Sequence, residues 1–218
     1  MSTEPTAIKK EFHNYLKKYK TVDDALRNDL KAYAIKHKIP EIWISEEQVQ
    51  IMQWLLKAFN TKNVLEIGTL VGYSAMMMAK VLPDDGRILT MEIDKRFAKI
   101  AQTFWNRAGL QKKIEVVIGD ALINLPAILE NNIPFDFVFI DADKINYKKY
   151  YELIINHSNG NTIIAFDNAF AFGQIQETNT TDEDVLAIQD LTNFIKNDHR
   201  VNSTILPVGD GLLLVVKK

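Results

Sequence analysis

From residue 63 onward, short apolar runs alternate five times with stretches whose apolar residues recur at helical spacing. Strand–helix–strand repeats of this kind return to one sheet in parallel, with helices laid on its faces. The runs predict strands over 63–67, 87–93, 114–118, 135–140 and 162–166. Helices are predicted over 72–82, 95–108, 122–130, 146–156 and 184–196. Turn chemistry agrees, since Pro83-Asp84-Asp85-Gly86 stops the first helix and Gly109 the second. Two last strands, 202–208 and 212–216, are separated only by Gly209-Asp210-Gly211 and therefore form an antiparallel hairpin. The expected fold is α/β: a doubly wound, mostly parallel seven-stranded sheet with a C-terminal antiparallel hairpin and one reversed edge strand. Residues 1–60 read as N-terminal helices capping the site, on the spacing of Ile51, Leu55, Leu56 and Phe59, and 61–218 as the ligand-binding core of one domain spanning 1–218.

With 218 residues, the chain has room for one substantial core and is short for two. A net charge of -2 gives no global attraction to nucleic acid or to an anionic membrane. No run approaches the ~20 apolar residues of a membrane span, and the start lacks the apolar stretch of a signal peptide. The absence of cysteine excludes disulfides, thiolate catalysis and Cys-ligated zinc. A cytoplasmic protein acting on small molecules is expected.

Two polar clusters stand where apolar runs break off. Asp141-Ala142-Asp143-Lys144 follows Phe137–Ile140, and Asp167-Asn168 follows the run ending at Phe166. Both fall at carboxyl ends of strands, where open α/β sheets build their ligand sites. Asp141, Asp167 and Asn168 offer three hard oxygens with no histidine or cysteine among them. That donor set suits magnesium, calcium or manganese and leaves positions open. Lys144 is the base beside it. Taken singly, Asp167-Asn168 reads more readily as a helix N-cap or turn pair, and Asp141 and Asp143 equally as solvated loop carboxylates; two clusters ending adjacent strands favour a site. Strand alternation would put Asp141 and Asp143 on one face, so a turn must begin between them if they are to divide their work.

The first strand–helix loop runs Glu66-Ile67-Gly68-Thr69-Leu70-Val71-Gly72-Tyr73-Ser74, and the second strand carries Glu92 twenty residues after Gly72. Glycines let the backbone approach a ligand, and an acid at that distance accepts hydrogen bonds from a ribose diol. Registered on Gly68, however, the later glycines of the dinucleotide fingerprint are replaced by Leu70 and Tyr73. Glu66 at the loop entrance would repel a pyrophosphate and attract the amino group of an amino-acid moiety. S-adenosylmethionine is favoured over NAD.

The stretch from about Pro40 onward resembles the cation-dependent O-methyltransferases of the caffeoyl-CoA and catechol O-methyltransferase group. The resemblance rests on Glu66-Ile67-Gly68 with Gly72-Tyr73-Ser74, on Leu82 to Gly86, on Met91-Glu92-Ile93-Asp94, on Phe139 to Lys144 with Tyr147, and on Asp167-Asn168 and Gly209-Asp210-Gly211. It implies a Rossmann-like class I methyltransferase fold, a homodimer and a phenolic acceptor. It also implies that Glu66, Gly68 and Ser74 line the methionine side of the cofactor, with Thr69 and Tyr73 also contacting it and Glu92 on the ribose. Asp120 and Ala121 would meet the adenine, and Asp141 and Asp143 would complete the cofactor wall. Ile44 stands where the family uses a threonine, so its contact would be through the backbone. Asp141, Asp167 and Asn168 would hold Mg2+, or Ca2+ or Mn2+ in its place.

The expected reaction joins the clusters. A cation polarises a vicinal diphenol, Lys144 takes the proton, and the phenolate attacks the sulfonium methyl. Trp43, Tyr147 and Phe172 are the candidate walls around the acceptor, together with Lys144. An apolar residue at Phe172, where plant members carry asparagine, points to an acceptor different from theirs. His13, His37, His157 and His199 are expected at the surface, Met76–Met78 in the core, and Lys9, Lys10, Lys17, Lys18 and Lys20 on a solvated helical face. Two other readings are a non-catalytic S-adenosylmethionine-binding module and an NAD-dependent oxidoreductase.

Overall fold

The computed structural model describes residues 25–131 and 134–218 together with Phe12, Asn14 and Tyr15. Two helices, α1 (Ala25–Lys36) and α2 (Glu46–Ala58), precede the sheet. The core then runs β1 (Asn63–Ile67), α3 (Tyr73–Ala79), β2 (Arg87–Glu92), α4 (Lys95–Arg107), β3 (Ile114–Ile118), α5 (Ala121–Glu130) and β4 (Phe137–Ile140). A 3-10 turn (Lys144–Asn146) leads into α6 (Tyr147–His157), followed by β5 (Ile163–Phe166), α7 (Glu183–Lys196), β6 (Val201–Leu206) and β7 (Leu212–Lys217). All seven strands form one sheet in the order β3-β2-β1-β4-β5-β7-β6. Strands β1 to β5 pair in parallel, and β7 runs antiparallel to both β5 and β6.

The reversed strand is therefore not at the edge. β7 lies between β5 and β6, and β6 forms the edge. Side-chain chemistry explains the placement. Leu212–Val216 is a continuous apolar run with Leu212, Leu213 and Val215 buried, as a strand paired on both sides requires. Asn202, Ser203 and Thr204 in β6 are exposed and suit an edge.

Alternate strand residues feed two cores. Val64, Phe137, Phe139 and Ala165 face α1 to α4, while Leu65, Ile67, Val138, Ile140 and Phe166 face α5 to α7. Met76, Met77 and Met78 are buried as expected. His37, His157 and His199 are exposed, whereas His13 and Lys9, Lys10, Lys17, Lys18 and Lys20 lie outside the described residues. Among the described residues no helix is long and apolar enough to cross a membrane.

At the amino ends of the central strands, Asp136 sets the register that the opposite ends depend on. Its carboxylate accepts from the Lys62 and Asn63 amides, both at 2.8 Å, and its own N–H donates to the Asn63 carbonyl at 2.8 Å. β4 consequently begins at Phe137, two residues later than the apolar pattern alone places it. Replacing Asp136 by alanine strands two backbone donors, and a loss of about 1–3 kcal/mol is expected in urea unfolding. An unchanged midpoint would mean that the β1–β4 register is held elsewhere.

Candidate active site

One cavity of about 900 Å³ opens along the carboxyl ends of the parallel strands. That size accommodates a cofactor and a small acceptor together. Its floor is the crossing of two loops. The Asp141 amide donates to the Ile67 carbonyl at 2.9 Å, and Gly68 follows with φ +98°. A Cβ on Gly68 would sit 2.0 Å from the Asp141 carbonyl oxygen, so only glycine lets the strands come this close.

On one side lies the β1–α3 loop. Thr69, Leu70, Tyr73 and Ser74 line the cavity, as do Glu92, Asp120 and Ala121 on the following strand ends. Glu92 accepts the Leu70 amide at 2.7 Å and the Asp94 amide at 2.8 Å, which fixes its carboxylate against the loop. Asp120 caps α5 through the Leu122 amide at 2.8 Å. Ile44, buried at 3 % exposure, closes the far wall.

Glu66 lies deeper than its neighbours in the loop. Its side chain has no exposure and does not reach the cavity; Ser74 stands in front of it. The Ser74 hydroxyl donates to Glu66 Oε1 at 2.5 Å, and Thr90 Oγ1 lies 2.6 Å from Oε2. Thr69 Oγ1 continues the chain, 2.5 Å from Thr90 Oγ1 and 2.9 Å from the Met91 carbonyl. Glu66 thereby ties the start of the loop to Ser74, which lines the cavity, and to Thr90 on β2. Burial pushes the Glu66 carboxyl up from 4.5 to about 7.

On the other side the two acidic clusters meet. Lys144 Nζ lies 2.8 Å from Asp141 Oδ1 and 2.7 Å from the Tyr147 hydroxyl. Asp167 is buried beside them, and its Oδ1 accepts from Gln48 Nε2 and from the Asn168 amide at 2.7 Å. Asn168 adopts φ +60°, a region asparagine tolerates. Its Nδ2 donates to Asp210 Oδ2 at 3.1 Å, which orients the amide and directs its oxygen elsewhere. Desolvation first, then the Asp141 charge, raises the Asp167 carboxyl from 3.8 to about 6. Two crowded carboxylates with a single adjacent lysine form a donor set with room for another cation. Among the described residues no three His, Cys, Asp or Glu side chains gather into a metal cluster; the further side-chain oxygen beside Asp141 and Asp167 is that of Asn168.

A family model described as O-methyltransferase matches residues 17–218. The chain is 36 % identical over 202 residues to a catechol O-methyltransferase of Niastella koreensis, covering 90 % of this chain and 91 % of that relative. The chain belongs to the O-methyltransferase family. A probable caffeoyl-CoA O-methyltransferase of Dictyostelium discoideum is 34 % identical over 174 residues, with 78 % and 76 % of the two chains covered. An O-methyltransferase from Bacillus cereus, solved in complex with SAH, superposes with a TM-score of 0.86 at 31 % identity, over 94 % of this chain and 96 % of that one. The protein is thus an S-adenosylmethionine-dependent O-methyltransferase on the class I fold.

Within this O-methyltransferase the acceptor walls need one correction. Tyr147 is fully buried against Phe166, with ring centroids 5.6 Å apart, and does not line the cavity. The 3-10 turn brings α6 back toward the sheet, so its first residue faces inward. Tyr150, one helical turn on, lines the cavity instead and donates to Asp143 at 2.8 Å. The same turn separates the two acids: Asp141 faces Lys144, while Asp143 faces Tyr150 and Asn146. Trp43 and Phe172 line the cavity with Ile42. Phe172 holds φ +56° through its amide, which donates to Asp210 at 2.8 Å. Gln48, Thr90 and Tyr150 carry no signal in the sequence, and Asp210 stands out only as part of the Gly209-Asp210-Gly211 motif, because their partners are distant in sequence or follow the unforeseen turn.

Glu66 and Asp167 both have folded pKa values above their ordinary ones, so the protonated forms favour the fold. The associated stability is complete below about pH 4 and is lost as pH rises through about 6 to 7. For Glu66 the loss is on the order of 3 kcal/mol. Calorimetry on cation-free protein is expected to show a falling midpoint between pH 5 and 8, with a shallower fall in Glu66→Gln. Equal slopes in the two proteins would contradict the assignment.

Proposed function

We propose that the protein transfers the methyl group of S-adenosylmethionine to one hydroxyl of a vicinal diphenol, with a divalent cation, preferably Mg2+, held by Asp141, Asp167 and Asn168. The observation that carries this reading is the meeting of the Asp141–Lys144 pair with Asp167 beside the methyltransferase loop, inside one cavity. The donor oxygens fit a hard cation in kind and charge. Homologues named for catechol and for caffeoyl-CoA favour a phenolic acceptor.

On this reading Ser74, Gly68 and Thr69 bind the amino-acid end of the cofactor, and Glu92 accepts from its ribose hydroxyls. Asp120, Ala121 and Asp143 complete the adenosine side, and Ile44 closes the wall. When bound, the cofactor supplies an electrophilic methyl, and the cation supplies acidification of the phenol it touches. In its neutral amine form, with Asp141 engaged by the cation, Lys144 would receive the phenolic proton at Nζ, positioned by the Tyr147 hydroxyl. Trp43 and Phe172 stack or edge the acceptor ring and exclude water from it. Among the described lining residues Lys144 is the only lysine or arginine, and it is already paired. A homodimer of this kind is also proposed.

Asp167→Ala removes a cation ligand without touching the cofactor loop. Methyl transfer to catechol is expected to fall at least 100-fold, while titration calorimetry shows cofactor affinity within about threefold of the parent. Loss of cofactor binding in the variant would show that the division of labour is wrong.

A further inference from the structure

Gln48 has no role in the chemistry proposed above, yet it is a polar side chain only 2 % exposed at the wall of the active-site cavity. It occupies the third position of α2, where it completes a capping box with Ser45: the Ser45 hydroxyl accepts the Gln48 amide at 3.1 Å, and Gln48 Oε1 accepts the Ser45 amide at 2.9 Å. That second bond assigns the two ends of the side-chain amide. With Oε1 on a donor, Nε2 is the end turned toward Asp167 Oδ1. The β6–β7 connection then closes over the group. Gly209 has φ +57°, and a Cβ there would lie 2.4 Å from Gln48 Oε1, so a side chain at this position would collide with the amide.

Asp167 Oδ1 thus carries two donors, Gln48 Nε2 and the Asn168 amide. A carboxylate oxygen has about two lone-pair sites in its plane. Both are used, and Oδ2 alone is left for a cation. We infer that Gln48 is a positioning residue that restricts Asp167 to ligation through one oxygen, and so sets the site's preference for a small octahedral cation over calcium. The inference rests on the reading of Asp141, Asp167 and Asn168 as a cation site. Its physical basis is coordination number: Ca2+ takes six to eight oxygens and accepts bidentate carboxylates, whereas Mg2+ requires near-octahedral single contacts. The choice of residue is informative as well. Glutamate would complete the capping box equally well, but it would oppose Asp167 with a second carboxylate and no donor.

Two variants separate this role from a structural one. Gln48→Leu removes one donor from Oδ1 and breaks the box, whereas Gln48→Glu keeps the box, removes the donor to Asp167 and puts a second carboxylate beside it. Mn2+ is bound to the full-length protein and displaced by Mg2+ or by Ca2+, with free Mn2+ followed by electron paramagnetic resonance. Mg2+ affinity is expected to fall about 10- to 100-fold in both variants. Ca2+ affinity should fall much less, so the Mg2+-to-Ca2+ ratio moves toward calcium by about tenfold or more. Parallel losses for both cations, or an unchanged ratio in Gln48→Glu, would overturn the inference and leave the cation site standing. Failure of the parent protein to bind any of the three cations would overturn the site and the inference together.

Discussion

Two backbones pack against each other at the centre of the cavity floor: Gly68 lies against the Asp141 carbonyl, where a Cβ would sit 2.0 Å from the oxygen. The β1–α3 loop and the strand end that carries Asp141 are in contact because β1 and β4 are neighbours in register. Everything chemical is arranged on either side of this seam. Thr69, Ser74 and Glu92 lie on one side, and Asp141, Lys144 and Asp167 on the other. Methyl donor and acceptor can meet only where two such half-sites touch, since much of the rate of a bimolecular transfer comes from holding the reactants together.

The seam concentrates negative charge. Glu66 is fully enclosed behind the loop, and Asp167 is nearly so on the opposite side, with both carboxyls raised by burial. Each is held by designated donors: Ser74 and Thr90 for Glu66, Gln48 and the Asn168 amide for Asp167. Buried carboxylates held this way strain the cation-free fold at neutral pH. They also leave an excess of negative charge on both sides of the seam, which is the basis of the cation site proposed above. The same charge reaches the Tyr147 hydroxyl, which burial and then Asp141 push well above its ordinary value, so it stays a neutral partner for Lys144.

Most of the sheet was legible from periodicity, because a strand buried on both faces is written as an apolar run. β1 and β3 match their predicted limits to the residue. What escaped depended on long-range geometry. The inner position of β7 is encoded in its apolar run, but the hairpin rule alone does not say which strand of the pair lies inside. Tyr147 and Tyr150 exchange places because a short 3-10 turn, invisible to a helical pattern, sets the phase of α6. Glu66 was placed at the right strand end, but its depth depends on Ser74 and Thr90 closing over it. Gln48 and Asp210 reach their partners across 119 and 42 residues, and no local spacing records such contacts. The acids, the lysine and the glycine were readable because their residue types are costly to place at strand ends without a purpose.

The most direct test of a two-sided site is methyl transfer from isotopically labelled S-adenosylmethionine to catechol, measured with and without a chelator, alongside cofactor binding in the same buffers. Turnover should vanish with the chelator and return on adding Mg2+, while cofactor affinity stays nearly constant. Full turnover in the chelator would contradict the role given to Asp141, Asp167 and Asn168.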